Sequence, residues 1–198
     1  MKILTLLLGL LSCQPSNLNV DNSGNVEVQE EPSPITWVDC SGQEGDHPCD
    51  FTLKDQDGND FNLYELYGKP IIVDFSTMWC YYCQRAAYDI KEISDLYSEE
   101  ELVYITILIQ DFSGEPPDQD DLLDWQNHFE ITGKNTPVLA ADQNMLSASP
   151  ADGWYIEAYP TFYFISTEME IKMYLRGFSE AAVNAGIDTI IHSDVIDQ

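Results

Sequence analysis

Two cysteines separated by two tyrosines, Cys80-Tyr81-Tyr82-Cys83, are the residues best suited to chemistry in this 198-residue chain. They follow the apolar run Ile71-Ile72-Val73-Asp74-Phe75, which reads as a buried strand. They precede apolar residues at Ala86, Ala87, Ile90, Ile93 and Tyr97, the spacing of a helix over Gln84 to Tyr97. A sulfur at a helix N-terminus feels the macrodipole and the unpaired backbone N–H groups, and both stabilise its thiolate. Cys80 is therefore the expected nucleophile. Cys83 lies on the same side of the first turn, close enough to bridge Cys80 yet shielded behind it, and is the expected resolving thiol. Cys-X-X-Cys is also half of a zinc site, but no second Cys or His pair at ligand spacing accompanies it. Dithiol–disulfide exchange is the chemistry these residues favour.

Asp74 interrupts the apolar strand. If buried there, its carboxyl has a raised pKa and can take the proton from Cys83 as that thiol attacks; the competing reading is a solvent-facing acid. Much later, Tyr159-Pro160-Thr161 opens another strand with a proline. A cis bond at that proline would turn the adjoining backbone toward the cysteines to pair with an extended substrate, whereas a trans proline would merely begin an edge strand. Trp79, Tyr159, Pro160 and Thr161 are thus the expected substrate contacts.

The elements that must position these residues alternate. Phe51 to Leu53 and Phe61 to Leu63 flank Asp57-Gly58, a dipeptide that favours a hairpin turn. The acids Asp55 to Asp60 do not form a calcium loop, because Gly58 sits at the wrong offset and no Glu follows at the required place. Leu102 to Ile109 reads as a second buried strand, Asp120 to Phe129 as a helix, and Pro137 to Ala140 as a short strand. Thr161 to Ile165 and Ile171 to Leu175 read as an adjoining pair, and Glu180 to His192 as a closing helix. This order implies a central mixed sheet covered by helices on both faces.

Of the five cysteines, Cys13 stands apart. Lys2 precedes the apolar run Ile3 to Leu11, too short to cross a bilayer but suited to a secretory signal over residues 1–12. Its end, Leu10-Leu11-Ser12-Cys13, looks like the lipobox of bacterial lipoproteins, in which the cysteine is lipidated and becomes the new N-terminus; an ordinary cleaved signal is the alternative. Residues 13–34 are rich in Asn, Ser, Glu and Pro without an apolar period and read as a flexible tether, about 25 Å across as a coil. Residues 35–198 remain for one folded domain. With Cys13 set aside, Cys40 and Cys49 make an even remainder with the redox pair, and outside the cytosol they suggest a structural disulfide. His47 between them raises a metal site for which no fourth ligand is visible, and His128 and His192 have no partner in sequence. No cofactor or resident metal is called for.

Thirty-five acids against eight Lys and Arg give a formal net charge of −27. Such a chain repels phosphate backbones and has no basic stripe, which excludes nucleic-acid binding; the acids read as a solvated surface.

The run Ile72-Val73-Asp74-Phe75-Ser76-Thr77-Met78-Trp79-Cys80-Tyr81-Tyr82-Cys83, with Tyr159-Pro160-Thr161-Phe162, resembles thioredoxin. Asp50-Phe51-Thr52-Leu53 with Asp57-Gly58, and then Leu63 to Pro70, looks like the entry hairpin of the redoxin branch that contains the TlpA and ResA proteins. The resemblance covers the chain from about Cys49 onward. It implies a thioredoxin-like fold with an N-terminal β-hairpin extension and a membrane-tethered thiol-disulfide oxidoreductase on the periplasmic side of a bacterial cell envelope; with the lipobox, the expected anchor is a lipid in a membrane such as the outer one. By it Cys80 and Cys83 are the redox pair, Asp74 matches the buried acid, and Pro160 matches the cis-proline. Its partners would be exported disulfide-containing proteins and an electron donor or acceptor. Tyr81-Tyr82 departs from the usual dipeptide, which often ends in proline, so the resemblance carries the exchange chemistry but not its direction. Cys49 stands where redoxins commonly have proline, which fits an added Cys40-Cys49 staple.

Other classes are weighed against this one. Thr77 lies three residues before Cys80, as in peroxiredoxin-like thiol peroxidases, but their preceding proline is missing and no suitably placed arginine is apparent. A copper chaperone would want wider cysteine spacing and a downstream histidine. A non-catalytic binding module would use the fold as scaffold alone.

Overall fold

The computed structural model describes residues 18–20, 26–28, 34–133 and 135–191. Cys13, the expected signal segment, most of the expected tether and His192 lie outside them. Within the expected tether, Leu18–Val20 (β1) pairs antiparallel with Val26–Val28 (β2). Three residues are too few to show an alternation in sequence, so these strands carry no signal there. They belong to a unit separate from the residues that begin at Ile35.

The second unit is built on β5, Ile71–Ser76, all six of whose residues are buried. A strand closed to water on both faces reads as a continuous apolar run, and it needs a neighbour on each side to satisfy its backbone. Strand β6, Val103–Leu108, pairs parallel on one side, and β8, Thr161–Ile165, antiparallel on the other. Beyond β6 lie β7 (Val138–Ala140, parallel), then β3 (Thr52–Asp55) and β4 (Asp60–Asn62), both antiparallel; beyond β8 lies β9, Ile171–Arg176. The order β4-β3-β7-β6-β5-β8-β9 is a seven-stranded mixed sheet. The β3–β4 hairpin expected at Asp57-Gly58 is present, with Gly58 at φ +81°. It is a continuation of the main sheet through the β3–β7 pairing, not an appendage.

Three α-helices flank the sheet: α1 (Tyr81–Leu96), α2 (Gln119–His128) and α3 (Glu180–Ile191). Their buried apolar side chains join one core cluster, with Ile72, Tyr104, Leu108, Val138, Phe162 and Phe164 from the sheet. The expectation of helices on both faces is corrected here. The parallel connections β5-α1-β6 and β6-α2-β7 step the same way across the sheet, and connections of one hand then place both helices on one face. The opposite face, where Val73, Phe75, Ile105 and Tyr163 point, is covered by irregular chain. Trp154 is its centre: it packs on Phe51, Phe75 and Tyr163, and its indole N–H donates to the Cys49 carbonyl at 3.1 Å. Short 3-10 turns at Tyr64–Leu66 and Gln143–Met145 complete this cover.

Cys40 and Cys49 are joined by a disulfide, with Cα atoms 4.8 Å apart. The loop they close lies along β9. Gly45 N–H donates to the Ile171 carbonyl at 2.8 Å, Ile171 N–H to the Asp46 carbonyl at 2.9 Å, and Tyr174 N–H to the Glu44 carboxylate at 3.1 Å. Gly42 sits where any Cβ would collide with the Gly153 carbonyl, so only glycine permits this approach. His47 stacks on Trp37 and donates through Nδ1 to the Met169 carbonyl at 2.7 Å, a structural use of the ring. Among the described residues no cluster of three His, Cys, Asp or Glu side chains could hold a metal ion, and no helix is long and apolar enough to cross a membrane.

Closing a loop this short stabilises a fold by about 2–3 kcal/mol through the unfolded state. Replacing Cys40 and Cys49 together by serine is expected to lower unfolding stability by that amount in urea titration. An unchanged midpoint would show that the backbone hydrogen bonds to β9 hold the loop unaided.

Candidate active site

Strand β5 ends at Ser76, and the chain turns through Thr77-Met78-Trp79 into α1. Met78 N–H donates to the Gln110 carbonyl at 2.9 Å and Cys80 N–H to the Thr77 carbonyl at 3.3 Å, fixing the turn. The helix begins at Tyr81, three residues before the expected start at Gln84, because Tyr81 and Tyr82 in its first turn face solvent and leave no periodic mark. Cys80 is consequently the N-cap residue. Its sulfur accepts from the Cys83 N–H at 3.2 Å, one of the donors a helix leaves unpaired at its start. No acidic residue occupies this first turn, so the helix end favours negative charge on sulfur unopposed.

Cys80 and Cys83 are bonded as a disulfide, their Cα atoms 5.2 Å apart. Cys80 retains 7% exposure and Cys83 none. Of the two sulfurs, only that of Cys80 is therefore open to an approaching group. The Tyr159 carbonyl oxygen lies 3.5 Å from Cys80 Sγ, and the Tyr159–Pro160 bond is cis. Trp79 stands half-exposed beside them, edge-on to Tyr159 with ring centroids 6.2 Å apart, and its indole N–H donates to Gln110 Oε1 at 3.2 Å. With the exposed Tyr81 and Tyr82, these rings form an aromatic rim around the sulfur.

Thr161 does not belong to that rim. It is wholly buried and its hydroxyl donates to the Ala158 carbonyl at 2.7 Å, so it shapes the turn instead of meeting substrate. The Pro160 carbonyl is likewise occupied, accepting from Gly177 N–H at 2.8 Å, which leaves the Tyr159 carbonyl as the group facing the cysteine pair. Cys40 and Cys49 serve the opposite face of the sheet.

Asp74 is buried on the face of β5 that α1 covers, alternating with Ile72 and Ser76. Ser76 donates to Asp74 Oδ1 at 2.7 Å and Tyr104 to Oδ2 at 3.2 Å. Desolvation pushes the Asp74 pKa up to about 7, and the two hydroxyl donors hold it back from rising further. Burial and the adjacent carboxylate push the Tyr104 phenol well above its ordinary range, so it remains a donor. The sequence reading omits both partners. Ser76 is legible in principle, two residues along the strand and so on the same face as Asp74; Tyr104 is marked only by a polar tip within an apolar strand. Gln110 and Gln84, which brace the turn, leave no signal.

Residues 45–174 match the AhpC/TSA family. The thiol-disulfide oxidoreductase ResA of Geobacillus kaustophilus is 23% identical over 128 residues, 65% of this chain and 66% of that relative, so the match spans just under two thirds of its length. The exposed lipoprotein thioredoxin of Streptococcus pneumoniae is 26% identical and superposes with a TM-score of 0.53, covering 71% of this chain and 98% of that one. A thiol:disulfide interchange protein of the thioredoxin family from Chlorobium tepidum is 17% identical, with a TM-score of 0.59 over 73% of this chain and 95% of that one. These likenesses show a thioredoxin-like fold.

The state of Asp74 is open to measurement. The folded chain holds this proton more tightly than the unfolded chain, so the stability it contributes is full below the ordinary carboxylate range and is lost as pH rises toward 7. Asp74→Asn removes that loss. Relative to the unaltered chain, the variant is expected to gain stability progressively between about pH 4 and about pH 7, levelling at about 4 kcal/mol. A difference that stays flat across that range in denaturant titrations would show that Asp74 does not change ionisation there.

Proposed function

The chain belongs to the AhpC/TSA family, and from that premise we propose that it is a thiol-disulfide oxidoreductase cycling Cys80 and Cys83 between dithiol and disulfide. The observation that carries this reading is the bonded pair across the first turn of α1, with one sulfur reachable and the other sealed. In the reductive direction the Cys80 thiolate attacks one sulfur of a substrate disulfide, forming a mixed disulfide and releasing the other sulfur as thiolate. The Cys83 thiol gives its proton to the Asp74 carboxylate and attacks Cys80 Sγ. The Cys80–Cys83 bond forms, the second substrate sulfur leaves as thiolate, and two electrons have passed to the substrate. An external dithiol donor restores the starting state, and the oxidative direction reverses every step. The Tyr159 carbonyl accepts a backbone N–H from an extended substrate segment laid beside the pair, with Trp79 as its aromatic wall.

We place this activity outside the cytosol. The charged start and apolar run before Cys13 support export, and lipidation of Cys13 would tether the chain to an envelope membrane. The substrates are then exported proteins that carry disulfides, and the family resemblance of the motif supports that class.

A second reading, peroxide reduction, has one observation in its favour. The Thr77 hydroxyl, three residues before Cys80, is buried without a hydrogen-bond partner among the described residues. In that chemistry the Cys80 thiolate attacks one peroxide oxygen, the O–O bond breaks as the other oxygen leaves as water or an alcohol, and the resulting sulfenic acid condenses with Cys83 to form the disulfide and release water. The pairing of both cysteines within one helical turn favours protein disulfides as the primary substrate.

Trapping separates the two. Cys83→Ala is expected to accumulate mixed disulfides through Cys80 in cells, identified by mass spectrometry after alkylation, and Cys80→Ser to abolish both the adducts and insulin-disulfide reduction. Correctly folded Cys83→Ala that forms no Cys80-linked adduct, together with rapid peroxide consumption by the unaltered chain, would sink the exchange reading in favour of the peroxidase.

A further inference from the structure

We propose that the cleft between α1 and α2 is a recognition subsite that takes a lysine- or arginine-bearing segment of the substrate next to the disulfide being exchanged, an inference that rests on the exchange reading above. The cleft has a volume of about 530 Å³, and its lining includes residues that flank the two cysteines in sequence. Met78, two residues before Cys80, and Gln84, directly after Cys83, form its near rim, and the Gln84 side-chain amide ties them together by donating to the Met78 carbonyl at 2.7 Å. A substrate chain lying across Cys80 therefore passes the opening.

The cleft exists because both crossover helices lie on one face of the sheet. Helix α2 is fixed there by Leu122 and Trp125 in the core and by a capping box, Asp118 accepting from Asp120 and Asp121 N–H while Asp121 accepts from Asp118 N–H. Its apolar wall is Met78, Trp125 and Phe129, closed on the loop side by Phe112. Phe112 is 66% exposed yet held in place, because the adjacent Asp111 carboxylate accepts from both Ser113 and Glu115 N–H at 2.7 and 2.9 Å. An exposed ring on an ordered loop at the mouth of this cleft is a contact awaiting a partner.

Charge selects the occupant. Asp124 projects from α2 into the cleft and makes no ion pair among the described residues. His128, one turn on, lines the same wall. The molecule beyond carries 35 acids against eight Lys and Arg. Lys54, Lys69, Lys91, Lys172 and Arg176 each pair with an acid of their own. A lysine or arginine matches this lining on both counts: its aliphatic stem lies along Met78 and the aromatic rings, and its cationic head meets the Asp124 carboxylate. An acidic segment meets repulsion from Asp124 and from the whole surface. A purely aromatic segment fills the wall but leaves Asp124 covered and unpaired.

The test uses the full chain and three disulfide-bridged peptides that differ only in carrying Lys, Glu or Phe beside the cystine, with neutral hydroxyethyl disulfide as a small control. The Lys peptide is expected to exceed the Glu peptide more than tenfold in kcat/KM. Asp124→Asn should cut that ratio at least threefold, while Glu99→Gln, which removes an equal charge past the far end of α1, about 24 Å of helix away, should leave it unchanged. Hydroxyethyl disulfide should be turned over equally by all three proteins. A Lys-to-Glu ratio indifferent to Asp124, or lowered equally by Glu99→Gln, overturns the subsite and assigns the preference to the general field. A Phe peptide outrunning the Lys peptide overturns it in favour of an aromatic occupant. Absence of hydroxyethyl disulfide turnover by the unaltered chain would instead mean that the exchange reading itself has failed.

Discussion

Strand β5 is shut off from water on both faces, and the rest of the domain is arranged around that fact. A backbone so enclosed must find its hydrogen bonds within the protein, and it finds them in β6 and β8. Those two neighbours in turn bring in the groups the chemistry needs. Strand β6 carries Tyr104 to the Asp74 carboxyl, and the turn that opens β8 carries the Tyr159 carbonyl to Cys80. The same enclosure leaves Asp74 short of solvent and raises its proton affinity to a range where it can exchange protons near neutrality. Where β5 ends the chain must turn, and the helix that follows receives its first capping group from Cys80.

The two faces of the sheet divide the labour. One, under the three helices, holds the redox pair, Asp74 and the cleft beside α2. The other is an aromatic core around Trp154, Phe75 and Tyr163, covered by loops whose backbone groups are satisfied outside any regular strand or helix. Tyr163 shows the pattern: its hydroxyl donates to the Tyr155 carbonyl and accepts from Tyr155 N–H, holding an irregular segment as a strand partner would.

Much of this was legible in the residues. Ile71 to Phe75 and Leu102 to Ile109 are apolar but for Asp74 and Thr106, and both are central strands; the 3.6-residue spacing of Ala86, Ala87, Ile90 and Ile93 marks the buried side of α1. Local pattern could not assign helices to faces, because that depends on the direction in which successive crossovers step across the sheet. Nor could it separate Thr161 from Tyr159, since residues two apart read as sharing one side of an extended chain and only the packing decides which one is buried. The irregular cover around Trp154 has no periodicity to read, and its order comes from contacts between residues more than a hundred positions apart, such as Trp154 with the Cys49 carbonyl.

The stapled loop has a consequence beyond its own stability. Strand β9 is the last strand of the sheet on its side, and a terminal strand presents unpaired N–H and C=O groups to any extended chain that drifts against it. Residues Glu44, Gly45 and Asp46 already occupy those groups at Ile171 and Tyr174, held there by a covalent bond that an oxidising compartment maintains. A protein whose proposed work is to meet partly unfolded chains thus has one flank of its sheet guarded against annealing to them, and contact is directed instead to the aromatic rim around the sulfur.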